Sequence, residues 1–245
     1  EKRFHKGVYY MLFKGYYKLM KEVADNVDVF LPNSHSEMNR VAKEFKLKNF
    51  KYVAIPNSID KSVFKQESLQ TENKYDQYNC IVCAARIEGR KSTLNLVRAV
   101  KKTNYTLVLV GNTSQNQKEY IKQVHEEAGK NVVFLGQISH EDLRDLYKVA
   151  KVHALVSWME TPGLSSLEAG AMDCNIVVTK KGDTQEYFEN FAYYCEPDDV
   201  NSIKTALDLA YNNPVNSDLK RKILNQYTWE KTAEKTLEAY QMAFK

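Results

Sequence analysis

The chain is expected to fold as an α/β domain with a doubly wound parallel sheet. Three observations carry that expectation. From Cys80 to Tyr211, short apolar runs alternate with stretches of helical periodicity. The runs are apolar throughout rather than at alternate positions, which suits strands covered on both faces. Two of them stop at a Gly, at the carboxyl edge where ligands of such sheets bind.

Residues 7–24 read as an amphipathic helix, because Val8, Tyr9, Leu12, Tyr16, Leu19, Met20 and Val23 recur at helical spacing. A strand is expected at Val27–Leu31, then a helix at Ser36–Phe45 with Ser34 or Ser36 as its cap. A strand at Tyr52–Ile55 is stopped by Pro56-Asn57-Ser58. Lys65–Gln77 is charged and aperiodic and reads as a surface connection. The alternation then opens with strand Cys80–Ala84 and helix Ser92–Lys102. Strand Tyr105–Val110 stops at Gly111, and a helix is expected within Asn116–Gly129. Strand Val132–Leu135 stops at Gly136, before helix His140–Ala150 with Ser139 as cap. Strand Val152–Val156 leads to helix Leu164–Met172, and strand Ile176–Thr179 to a short helix at Thr184–Glu189. Strand Ala192–Cys195 leads to helix Val200–Tyr211 behind Asp198-Asp199. Helices at Asp218–Gln226 and Thr228–Phe244 complete the series.

The 245 residues are enough for one large domain or two small ones. No apolar run approaches the roughly 18–20 residues that span a bilayer. The sequence starts at Glu1 without a signal-peptide pattern and reads as a fragment or a trimmed chain. Cys80-Ile-Val-Cys83 mimics a metal or redox pair, but strand residues three apart face opposite ways. No second Cys or His pair completes a zinc site, so the four cysteines read as buried thiols in a reducing cytoplasm. Net charge is +4, and residues 1–24 set Lys2, Arg3, Lys6, Lys14, Lys18 and Lys21 against Glu1 and Glu22. The excess is local, and no basic stripe points to nucleic acid. The helix at 7–24 reads as ordinary packing, with peripheral docking on an anionic membrane surface as the rival.

The chemistry concentrates in Glu160-Thr-Pro-Gly-Leu-Ser-Ser-Leu-Glu168. One carboxylate falls in a strand-to-helix loop and the other within the helix, with a helix start between them. Unpaired amides and a positive dipole end favour an anion there, and carboxylates accept from sugar or ribose hydroxyls. Arg86 and Lys91 flank the loop after the first strand of the alternation, where cations would neutralise a pyrophosphate. Each segment also has a plain reading: a solvated basic loop, simple turns at Gly111 and Gly136, a Glu168 favoured by the helix dipole. Agreement on one sheet edge favours a ligand carrying phosphate and hydroxyls, such as a nucleotide sugar.

Taken in order, these segments resemble the carboxyl-terminal half of the family 4 retaining glycosyltransferases (group 1) of the GT-B fold. Pro32-Asn33-Ser34 and Ile55-Pro56-Asn57-Ser58-Ile59-Asp60 resemble the stretches around the interdomain linker. Arg86 and Lys91 match the donor-phosphate pair, Phe134-Leu135-Gly136 with Ile138 the base-contacting turn, and Glu160 to Glu168 the Glu-x7-Glu motif. Glu186 falls where the family has a Glu after a Gly-rich turn. The resemblance implies a Rossmann-like donor domain over 58–226, a remnant of the acceptor-side domain over 1–57, and a helix over 227–245 packing back toward the amino-terminal segment.

It also implies that Arg86 and Lys91 neutralise the donor diphosphate and that the Gly163 and Leu164 backbone binds a phosphate or sugar oxygen. Glu160 would contact sugar hydroxyls, Glu168 the ribose and the Ile138 backbone the base, with Gly111 on the same edge. Glu160, Arg86 and Lys91 would form the catalytic set. No metal or other cofactor is expected. The implied partners are a nucleotide-sugar donor and a glycan or lipid-linked acceptor, and the implied place is the cytoplasm or its membrane surface. Ser58, Asp173 and Asn175 depart from the family pattern. The rival function is a nucleotide-sugar-binding module that another domain or chain completes. A generic nucleotide-binding domain is disfavoured, because no Gly-x-Gly-x-x-Gly or Walker loop occurs.

Overall fold

Six short runs pair into one all-parallel sheet in a computed structural model that describes residues 15–62 and 73–244. The strands are β1 (Cys80–Ala84), β2 (Thr106–Val110), β3 (Val132–Gly136), β4 (Val152–Leu155), β5 (Asn175–Thr179) and β6 (Ala192–Cys195). Their order is β3-β2-β1-β4-β5-β6. The chain winds outward one way from β1, then returns to start again at β4. Ligands of such sheets bind outside the carboxyl ends at that reversal. Register across it is Ile81↔Val152 and Val82↔His153, so the two strands end beside each other. The expected fold class is the observed one.

The helices are α1 (Tyr16–Asp25), α2 (His35–Phe45), α3 (Thr93–Val100), α4 (Lys118–Glu127), α5 (His140–Val149), α6 (Leu164–Ala171), α7 (Thr184–Phe188), α8 (Val200–Asn212), α9 (Ser217–Gln226) and α10 (Trp229–Ala243). Side chains alternate across the sheet, which is why every strand position can be apolar. Cys80, Val82, Val108 and Ile176 join Leu146 of α5, Leu167 of α6 and Ile223 of α9 in one core cluster. Ile81, Cys83, Leu107 and Val177 join Val97 of α3, Val124 of α4 and Leu207 of α8 in the other. Each fully buried side chain of this kind stabilises the fold by roughly 1.5–3 kcal/mol. All four cysteines are free and buried, and Cys80 and Cys83 face opposite layers.

Three expected caps are made. Ser34 Oγ accepts from Glu37 N at 2.9 Å, Ser139 Oγ from Asp142 N at 3.0 Å, and Asp199 Oδ1 from Asn201 N at 2.8 Å. Glu37 also reaches back to Asn33 N at 2.6 Å, closing a capping-box variant.

The described residues fall into two compact units, one within 1–56 and 233–245, the other within 57–232. In the first unit the expected strands Val27–Leu31 and Tyr52–Ile55 shrink to a single bridge, Phe30↔Tyr52. Pro32 has no N–H to donate, so no second bridge forms, although its carbonyl still accepts from Ile55 N at 2.7 Å. Only Tyr16–Asp25 of the expected helix 7–24 lies among the described residues as helix, and residues 7–14 lie outside them. Tyr16, Leu19, Met20 and Val23 are exposed. Of the expected surface connection Lys65–Gln77, residues 65–72 also lie outside. Tyr75 corrects the rest: it is buried in the core, and Asn73 Nδ2 donates to Asp145 O at 2.7 Å. Among the described residues no helix is long and apolar enough to cross a membrane.

One core residue is titratable near neutrality. His153 of β4 is fully buried, with Nδ1 3.4 Å from Ser166 Oγ and no partner for Nε2 among the described residues. Burial, and then the Lys91 charge, pulls its pKa down to about 3. The folded state keeps the ring neutral while the unfolded chain binds a proton below about 6.5. This contribution is therefore complete above that pH and is lost progressively on acidification toward 3. Between pH 7 and pH 5 it removes about 2 kcal/mol of stability. His153→Leu should abolish that part of the slope in urea titrations at the two pH values. An unchanged slope would show that acid sensitivity arises elsewhere.

Candidate functional site

Two loops meet where the strand order reverses. The first continues β1 alongside β2: Ala85 N donates to Val110 O at 2.9 Å and Ile87 N to Asn112 O at 2.9 Å. A single 3-10 turn, Gly89–Lys91, follows. Gln117 Oε1 accepts from Gly89 N at 2.7 Å, and Ser92 Oγ donates to Pro197 O at 2.5 Å. Lys91 thus projects from a turn fixed at both ends.

The second loop follows β4 and is stitched to the first, since Trp158 N donates to Arg90 O at 2.8 Å. Glu160 bridges to Gly182 after β5: Glu160 N donates to Lys181 O at 3.3 Å, and Asp183 N to Glu160 O at 2.9 Å. Gly182 has φ 90°, and a Cβ there would lie 2.1 Å from Glu160 O. Asn57 Nδ2 donates to Thr161 O at 2.7 Å and steadies the far side of the loop.

These supports bring charges together. Lys91 Nζ donates to Glu160 Oε1, and the two side chains are only 12% and 8% exposed. Arg90 Nη1 lies 3.7 Å from the same oxygen and donates to Met159 O at 2.8 Å. Its Nη2 donates to Glu88 Oε1 at 3.3 Å, and Glu88 is itself buried. Arg86 stands at the rim, 65% exposed, with Nη2 4.0 Å from Glu88 Oε2. Three cations therefore face two carboxylates. Removing one partner of a buried pair leaves a charge uncompensated and costs about 3–5 kcal/mol.

The α6 start adjoins this cluster. Gly163 has φ 88°, and a Cβ on it would lie 2.7 Å from Leu155 Cδ2 and 3.5 Å from Glu160 Oε2. No side chain caps α6. The Leu164 and Ser165 amides have no acceptor among the described residues, as first-turn amides lack one within a helix. Glu168, on the second turn, occupies a different setting. It is half-buried, with no hydrogen-bond or ion-pair partner among the described residues. Burial pushes its pKa upward, and His140 pulls the other way. The two carboxylates of the motif thus diverge, one among cations and one half-buried without an ion-pair partner among the described residues.

The remaining expected residues lie on the same edge without joining the cluster. Gly111 N donates to Gly136 O at 2.8 Å. Gly111 has φ 132°, and a Cβ there would meet Ala85 O at 2.4 Å, so the strand beside it already requires a glycine. Ile138 is half-buried against the core, and Glu186 is half-buried on α7. Arg90, Glu88 and Gly182 escaped the sequence reading. Arg90 and Glu88 look like ordinary loop charges, and Gly182 looks like one more turn. Among the described residues no group of three or more His, Cys, Asp or Glu is placed to hold a metal ion.

The family model described as glycosyl transferases group 1 matches residues 64–231. An uncharacterized glycosyltransferase of Methanocaldococcus jannaschii is 26% identical over 69% of this chain and 46% of its own length. The chain spans about half the length of the curated relatives it matches. Sucrose-phosphate synthase from Thermosynechococcus elongatus superposes with TM-score 0.79 at 22% identity, over 93% of this chain and 61% of its own. HepE from Anabaena, solved in complex with UDP and glucose, gives 0.73 at 18% identity, over 90% and 66%. At these identities the structural likeness establishes the GT-B glycosyltransferase fold.

Gly182 offers a test of how the site is held. Gly182→Ala forces a left-handed φ on Ala and a clash with the Glu160 backbone. It should lower stability by roughly 2–4 kcal/mol in urea denaturation. A loss under about 0.5 kcal/mol would show that Glu160 is not pinned there.

Proposed function

This chain belongs to the glycosyl transferases group 1 family, and from that premise we propose that it carries the donor site of a retaining hexosyltransferase. The donor is a nucleotide-diphosphate sugar and the acceptor a glycan or lipid-linked acceptor. The observation that supports this most is the Lys91–Glu160 pair beside the uncapped start of α6, at the reversal point of the sheet. A diphosphate is matched by Lys91, by Arg86 at the rim and by the Gly163–Leu164 backbone. These groups supply positive charge without a metal. Glu160 faces the sugar hydroxyls, Glu168 the ribose hydroxyls and the Ile138 backbone the base. Uridine is the first base to test, since HepE was solved with UDP. Turnover would require the acceptor side, for which the longer relatives leave room. This chain by itself should bind donor and transfer poorly.

Screening UDP, GDP, ADP and CDP by thermal shift identifies the base, because a ligand of the native state alone raises its stability. Against the best diphosphate, Lys91→Ala should weaken calorimetric affinity by roughly 10- to 100-fold, as loss of a charge-assisted bond implies. Unchanged affinity would remove Lys91 from the diphosphate site. Glu168→Ala should erase the preference for ribose over 2′-deoxyribose diphosphates. Retained preference would place the ribose elsewhere. EDTA should leave binding intact, and abolished binding would require a metal.

A further inference from the structure

Under the reading above, Lys91 has two claims on it. Its ammonium is now bound to Glu160, and a donor diphosphate would draw it away. Glu160 would then lose its close cation while remaining almost wholly buried, a costly state for a carboxylate. It would also have to stay in place to meet the sugar.

Arg90 is built to answer both needs. Its guanidinium grips the loop by side chain, through Met159 O at 2.8 Å, while its carbonyl grips it by backbone, through Trp158 N at 2.8 Å. The same Nη1 lies 3.7 Å from Glu160 Oε1. Buried Glu88 holds Nη2 at 3.3 Å and orients the fork from behind. A planar guanidinium can serve these three acceptors at once, whereas a lysine ammonium offers one point of charge.

We propose that Arg90 is a positioning residue that keeps Glu160 charged-paired and in register with the sugar when Lys91 turns to the diphosphate. It acts through Glu160, and nothing requires it to touch the donor. The proposal rests on the nucleotide-sugar reading and predicts a split that general loop support does not. Diphosphate binding should depend on Lys91 and the α6 start, and the increment from the sugar on Arg90.

The experiment is a double-mutant cycle of Arg90→Met and Glu160→Ala by calorimetry. The ligands are UDP and UDP-glucose, or GDP and GDP-mannose where GDP gives the larger thermal shift. Arg90→Met should weaken nucleotide-sugar binding about tenfold and diphosphate binding less than about twofold. In the Glu160→Ala background, Arg90→Met should cost less than about twofold further, as coupled residues require. Arg90→Lys, retaining charge without the fork, should fall about threefold short of the parent, and it replaces Arg90→Met in the cycle if that variant unfolds. Multiplying losses, equal losses for both ligands, or parental affinity in Arg90→Met would each overturn the proposal. A parent that binds the diphosphate with no gain from the sugar would instead refute the Glu160 sugar contact, and the Arg90 role with it.

Discussion

The ion pair between Lys91 and Glu160 joins two loops that only this strand order can bring together. One loop leaves β1 and the other β4, strands far apart in sequence and adjacent in the sheet. Pairing of Ile81 with Val152 sets their ends side by side. Backbone contacts then do the aiming. Trp158 is tied to Arg90, Glu160 to Gly182, and Gly163 lies against Leu155. At this burial each charge needs a partner, and without a ligand each is the other's nearest.

The Glu160–Glu168 motif places like residues in unlike surroundings. Glu160 faces Lys91 and Arg90, and Glu168 sits half-buried with its carboxyl pushed upward by desolvation. A matched acid and base pair would need both at one reacting atom. The observed divergence fits two separate hydroxyl contacts better, which is the role proposed for them. On the proposed reading, binding a donor at such a site would exchange one partner of Lys91 for another.

The sheet was legible in the sequence because its inner strands are buried on both faces and read as largely apolar runs, and the half-buried edge strands β3 and β6 keep enough apolar residues to read the same way. Helix starts were legible where Ser139 or Asp199 supplies a local acceptor, since a cap is written in adjacent residues. What failed depends on partners distant in the chain. Val27–Leu31 is apolar enough for a strand, yet Pro32 cannot donate and only one full bridge forms. Tyr75 lies in a polar stretch and anchors in the core all the same. Arg86 and Lys91 stood out as a basic pair, while Arg90 was hidden beside Lys91. Only the folded loop separates a rim guanidinium from one that grips the Met159 carbonyl. Gly111 lies on the expected edge, where the Ala85 carbonyl independently excludes a Cβ.

The free thiols carry a consequence of another kind. Burial pushes Cys80, Cys83 and Cys195 up to about 12 and Cys174 higher still, so almost no thiolate exists at neutral pH. Thiolate is the reactive form, and a closed sheet shields it from reagents as well. Alkylation therefore proceeds only as fast as the structure opens locally. Cys80 and Cys83 sit on one of the two middle strands and Cys195 on the sheet's border strand. Their labelling rates keep separate time for the middle and the margin of the same sheet, a pair of chemical clocks already built into the chain.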